Sequence, residues 1–290
     1  MNDTINNMIS TISLILFIII TIIYFVSIKL KLSLEEIQTP ETFSNFTSQN
    51  LQSLAIYIVL VFASQFILNA IYLGNKCNNA NGTIGIAAFY TFIPWALIFG
   101  VLAGILVIFP GFKSAFSDVI GYFIVQGQSN EIFSHILIDQ ELQEQMDNDG
   151  LSGDEKSALS KSAEAIMKIC SNKSVLINQI NPENFMSFWN AITPLIKSSI
   201  KNNDDEILKV QTKLLDLVVL RDNIGEGFWY IYSAVLISSI VYYNLATQGC
   251  VLDVATIKAN REKYITEQEE LDEQNNLDDT IYIDDQQVQE

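Results

Sequence analysis

The chain has 290 residues, 49% of them hydrophobic, and a mean hydropathy of +0.26, yet it carries a net charge of −17. A single soluble domain does not combine those values, whereas a membrane protein with acidic water-facing parts does. Such acidity argues against nucleic acid as a partner, because phosphate binding needs clustered Lys and Arg.

Residues 1–110 hold 4 acidic and 3 basic side chains, residues 111–226 hold 17 and 10, and residues 247–290 hold 12 and 3. The charge is thus gathered in one large loop and one tail. Crossing about 30 Å of hydrocarbon takes roughly 20 helical residues. Four stretches qualify: 9–28, 51–73, 84–109 and 227–246, none of which contains Asp, Glu, Lys, Arg or His. The first has no basic flank before it, since Asp3 is the only charged side chain there, and Ser27-Ile28-Lys29 is a poor cleavage site. It reads as a retained signal-anchor.

Residues 29–50, with Pro40, read as a short loop, and GNKCNNANGT (74–83) reads as a tight polar turn. The first three spans therefore form one antiparallel membrane unit over 1–110. In the third, Pro94 is expected to kink the helix. Ala96, Gly100 and Gly104, spaced by four, form a row of small residues suited to close helix contact, within the chain or between copies in a homo-oligomer. The plainer reading is that Gly is common in membrane helices. Gln52, Gln65, Asn69, Ser233, Ser238, Ser239 and Asn244 are polar but neutral, and either line a pathway or bond neighbouring helices. An ion-coupled transporter usually needs an ionisable group in the membrane, and the four stretches have none.

After the third span comes FPGFKSAFSDVIGYF (109–123). Val119-Ile120-Gly121-Tyr122 invites comparison with a potassium filter, but Phe123 stands where the last Gly should be and no pore helix precedes it. Phe112, Phe116, Val119, Ile120 and Phe123 recur at helical spacing, with Ser117 and Asp118 on the polar side. Pro110-Gly111 is expected to turn the chain out of the membrane, and this segment to lie in the interface as an anchor. The alternative is an ordinary first helix of the extramembrane domain at 111–226. Further helix signals in that domain are a capping box at Ser152–Glu155 before 156–170 and Asn181-Pro182-Glu183 opening a helix to about residue 200, broken at Pro194. A third helix follows, capped by Asp204 or Asp205. Ile224-Gly-Glu-Gly227 is expected to break or bend the chain before the fourth span, 227–246. No strand pattern is visible. The tail, 247–290, begins with a helical pattern and ends in acidic low complexity with too few apolar residues to order. It is either a solvated end or a segment that docks on a basic partner.

Basic residues near the span ends number six on the side of the 111–226 domain and four on the other. By the positive-inside rule the domain is cytoplasmic and both termini are outward. Sequons at Asn2, Asn45, Asn81 and Asn172 fall on both sides. Spans two and four point the same way, so Cys77 and Cys250, each four residues past a span, lie on one side at nearly one height, with Cys170 on the other. Packed helices lie about 8–10 Å apart, and the short segments beyond them bring the two within reach of a disulfide, on the side expected to be oxidising. Two unrelated interfacial cysteines are the alternative.

Catalysis is not expected. His135 is the only histidine, no Cys, His or Asp group has metal-ligand spacing, and no cofactor motif is present. Asp147-Asn-Asp-Gly150 fails the calcium-loop register, with Gln145 first and Lys156 twelfth.

FPGFKSAFSDVIGYF, together with VVLRDNIGEGFWYIYSAVLISSIVYYNLATQGC (218–250), resembles a group of multi-spanning proteins of nucleocytoplasmic large DNA viruses. The resemblance spans roughly the last three spans and the junction before the fourth. It implies a protein of the viral inner membrane, derived from host endoplasmic reticulum, beneath an icosahedral capsid. It carries over no functional residues. The sequence as a whole reads as an all-α integral membrane protein with four transmembrane helices and a helical extramembrane domain. Its expected role is structural: organising a bilayer, and linking it to capsid components or other membrane proteins. A small pore is the second reading.

Overall fold

The structure, a computed structural model, describes residues 2–77, 80–137, 173–250, 258–259 and 261–273. Its described residues are all-α. The one β feature among them is an isolated antiparallel bridge between Leu137 and Ile196. Four helices are long and apolar enough to cross a membrane, which makes the chain an integral membrane protein.

Helix α1 runs over Asn2–Ile23 and widens to a π-helix over Tyr24–Ile28. Helix α2 spans Pro40–Cys77, starting eleven residues before the apolar run that marks it in the sequence. The start is set by Thr39-Pro40: the Thr39 hydroxyl accepts from the Thr42 N–H at 3.2 Å, and Pro at the first helical position has no N–H to leave unpaired. Helix α3 comprises Ala80–Pro94, a π-helical stretch over Trp95–Gly100 and Val101–Ile108. The wide turn directly follows Pro94, whose missing N–H interrupts the regular ladder. Phe109 leaves the helix (φ −125°, ψ 73°), and Pro110–Lys113 makes a 3-10 turn out of the membrane.

Helix α4 then covers residues 114–136, with a third π-helical stretch over Ser117–Gly121. The helix expected from Asn181 begins later, as α5 over Phe185–Ile192, because Asn181 and Asn184 bond each other's backbone N–H groups at 2.8 Å and close a turn instead. Pro194 ends α5 through a 3-10 turn over Thr193–Leu195, and a short α6 follows at Ser198–Lys201. The cap of the next helix is Asn203, one residue before the expected Asp: its side chain accepts from the Glu206 N–H at 3.2 Å.

That helix, α7, is a single rod over Asp204–Thr247. The break expected at Ile224–Gly227 does not occur, because Gly225 is used for close packing rather than for a turn. At about 1.5 Å per residue the 44-residue rod is roughly 66 Å long, about twice the hydrocarbon thickness. Its first half packs Leu214 and Val218 into the extramembrane core with Phe133, Ile136, Ile177 and Phe185. Its second half packs Tyr230, Ala234 and Ile237 into the membrane core with Phe17, Tyr57, Trp95 and Phe99. The tail is helical and exposed over 261–273. The expected helix at 156–170, Cys170, the Asp147–Gly150 turn and the acidic end of the tail lie outside the described residues.

Candidate functional site

The site is a buried ion cluster where the membrane unit meets the extramembrane domain. Residues 222, 226 and 230 of α7 share one face, being four apart. They turn Asp222, Glu226 and Tyr230 toward two lysines that lie just beyond membrane spans: Lys29 after α1 and Lys113 after α3. Glu226 Oε2 accepts from Lys29 Nζ at 2.9 Å and from Lys113 Nζ at 3.1 Å, while Asp222 Oδ2 takes Lys113 at 3.0 Å. Asn223 Oδ1 accepts a further Lys29 proton at 2.7 Å, and the Tyr230 hydroxyl donates to Glu226 Oε1 at 2.9 Å. The side chains of Lys29 and Glu226 are only 10% and 6% exposed. Lys29 also lies 5.0 Å from the Phe25 ring centroid.

The two lysines respond differently to burial. For Lys113, burial works against the charge, but the Glu226 and Asp222 carboxylates outweigh it and hold the pKa above its ordinary value. Lys29 has one carboxylate partner, and burial pushes its pKa below the ordinary value.

Beside this cluster Arg221, 3% exposed, ties α7 to the domain. Its guanidinium donates to the carbonyl oxygens of Ile177 and Ile180 (2.7 Å for Ile180) and to Asn178 Oδ1 at 3.2 Å, with Asp118 Oδ1 at 3.6 Å. Two glycines permit this closeness. A Cβ on Gly225 would lie 2.7 Å from Ser117 Cβ and 2.8 Å from the Lys113 carbonyl oxygen; one on Gly121 would lie 2.7 Å from the Arg221 carbonyl oxygen.

Of the six basic residues counted at the span ends on the side of the 111–226 domain, Lys29, Lys113 and Arg221 are held by protein partners.

The row Ala96, Gly100 and Gly104 is not where α3 meets the rest of the chain. Trp95, Phe99, Ala103 and Leu106 take that face. A Cβ on Gly104 would meet nothing within 4 Å, and one on Gly100 would meet only the Trp95 carbonyl at 3.9 Å. Within the chain, large aromatic side chains fill the seam that the small residues were expected to close.

Of the anchor residues, Phe112, Val119 and Phe123 are exposed. Ile120 is half-buried, and so is Phe116, whose ring packs edge-on to Trp229 at 5.0 Å. Trp229 Nε1 donates to the Phe112 carbonyl at 2.9 Å. Ser117, expected on the water side, is 2% exposed and faces α7, because Ser117, Gly121, Val125 and Ser129 form the packed face of α4. His135 is exposed, with Nε2 3.5 Å from Glu206 Oε1.

At the opposite membrane surface Cys77 and Cys250 are joined by a disulfide with Cα atoms 5.3 Å apart. Beside it Lys76 Nζ donates to the carbonyls of Leu245, Ala246 and Gln248 at 2.7–3.0 Å, capping the end of α7. Inside the bundle several polar residues pair with one another or with backbone: Gln65 with Ser13, Asn69 with Thr91 at 2.9 Å, and Ser233 with the Tyr230 carbonyl at 2.9 Å, whereas the buried Ser238 hydroxyl has no partner among the described residues. A cavity of about 10 Å³ near Ser238 and Trp95 has room for roughly one water. Among the described residues, no group of three His, Cys, Asp or Glu is placed to hold a metal ion.

Comparison with known protein families, curated proteins and solved structures finds no match.

Proposed function

We propose that the protein is a structural membrane component that organises a bilayer and links it to other proteins. In the setting implied by the sequence resemblance, this is the inner membrane of a virion, derived from host endoplasmic reticulum, and the partners are capsid components or other membrane proteins. The supporting observation is the rigid union of membrane and extramembrane parts: one unbroken rod through both cores, fixed at the boundary by Lys29, Lys113, Asp222 and Glu226. A protein that transmits position from a bilayer to a partner needs such a joint. The exposed apolar side chains of Phe112, in the turn before α4, and of Val119 and Phe123, on α4, favour contact of this segment with the membrane surface. The outward face of Gly100 and Gly104 is open to a second copy.

The test is the protein's association with purified virions. It should be present there, and should be released by detergent but not by high salt. Absence from virions, or release by salt, overturns the reading. Dye or ion flux through liposomes carrying the purified chain would replace it with the pore reading.

A further inference from the structure

A cavity of about 150 Å³ opens beside the ion cluster. It is about tenfold larger than the roughly 10–15 Å³ one water needs. It lies at the level where α1 and α3 leave the membrane, between residues 29–32, the start of α2 and the end of α3. Its lining includes Leu30, Leu51 and Val107, all exposed and apolar, while Lys29, Lys113, Asp222 and Glu226 form its inner wall. The mouth is thus suited to hydrocarbon and the interior to charge, the division found in one phospholipid at the bilayer surface.

The interior has unused bonding capacity of both kinds. An ammonium has three donors, and Lys29 and Lys113 each use two on the protein acceptors described above, leaving one apiece for a phosphate oxygen. The Asn50 side-chain oxygen lines the same cavity, is buried, and has no hydrogen-bond partner. A buried acceptor left in that state is unfavourable, and a ligand N–H that reached it would relieve the cost. Glu183 lines the cavity as well and has no cation partner among the described residues. With Lys29 and Lys113 set against Asp222, Glu226 and Glu183, the walls carry one net negative charge. An anionic headgroup is therefore opposed. A zwitterion with N–H donors matches both walls, phosphate toward the lysines and ammonium toward Asn50 and Glu183. A quaternary ammonium offers Asn50 no proton.

From this we infer that the cavity is a binding site for a phosphoethanolamine lipid, which enters sideways from the bilayer between α2 and α3. The decisive measurement is native mass spectrometry of the full chain in mild detergent, titrated with phosphatidylethanolamine and phosphatidylcholine of identical acyl chains. The wild type should retain one ethanolamine lipid per chain with about tenfold preference over the choline lipid. Asn50→Leu should reduce that preference below about twofold, and Glu183→Gln, in an exposed turn, should weaken it without affecting folding. Should Asn50→Leu fail to fold, Glu183→Gln decides the matter alone. Water-soluble glycerophosphoethanolamine should not displace the lipid; if it does, the ligand is a free phosphoethanolamine and the lipid assignment falls. Equal retention of the two lipids, or a preference untouched by a folded variant, overturns the site.

Discussion

Glu226→Ala removes the carboxylate that two buried lysines share, and the structure sets unequal consequences for them. Lys113 keeps Asp222 at 3.0 Å. Lys29 keeps only the Asn223 amide and the neighbouring rings, and the Tyr230 hydroxyl loses its acceptor. A buried charge stripped of its partner costs about 3–5 kcal/mol. For a chain of this size that corresponds to a fall of roughly 6–20 °C in the unfolding midpoint. Asp222→Ala should cost only about 1–2 kcal/mol, because Glu226 still serves both lysines. In the double variant Lys29→Met/Glu226→Leu the charge is gone with its partner, and the penalty should shrink to about 1–3 kcal/mol, chiefly the unpaired Tyr230 hydroxyl. The assay is the thermal midpoint of the purified full chain in detergent, read as loss of the monodisperse peak on size exclusion. Equal shifts for Glu226→Ala and Asp222→Ala would refute the shared-carboxylate reasoning. So would a double variant as unstable as the Glu226 single.

Gly225→Ala and Gly121→Ala should each destabilise by about 1–2 kcal/mol, overpacking outweighing the gain in helix propensity. Gly127→Ala, where a Cβ would meet nothing within 4 Å, should be neutral or slightly stabilising in the same thermal assay. Gly104→Leu should leave the monomer's midpoint unchanged while Ala103→Leu lowers it, and cross-linking in the bilayer will report whether Gly100→Leu and Gly104→Leu weaken self-association. Peptide mapping without reductant should recover Cys77 joined to Cys250. Cys77→Ser should cost at most roughly 5 kcal/mol of loop-closure stabilisation, read as a lower midpoint, since the bilayer already restrains both helices.

The membrane spans were legible because uncharged runs of this length have few other uses. The ion cluster was not read from the sequence, because each of its charges lies outside an apolar run, where a lone Lys or Glu normally faces water. A signal was present all the same. Lys29 and Lys113 follow the first and third spans, and Asp222 and Glu226 precede the fourth, so opposite charges stand on one side at one height. Gly100 and Gly104, inside the membrane, make no close contact within the chain, where the backbones come closest at the boundary, at Gly121 and Gly225. Two helices start elsewhere than expected: Thr39 begins α2 long before hydropathy rises, and Asn203 takes the capping role expected of Asp204 or Asp205.

The Cys77–Cys250 bond also changes the connectivity of the chain as a graph. It closes a ring over a sequence separation of 173 residues, with the first two spans outside it on one arm and the acidic tail on the other. Any single cut between those cysteines, the large extramembrane insertion included, opens the ring without dividing the molecule. A protease that nicks the domain once should therefore leave one species on a denaturing gel without reductant, and two after the bond is reduced.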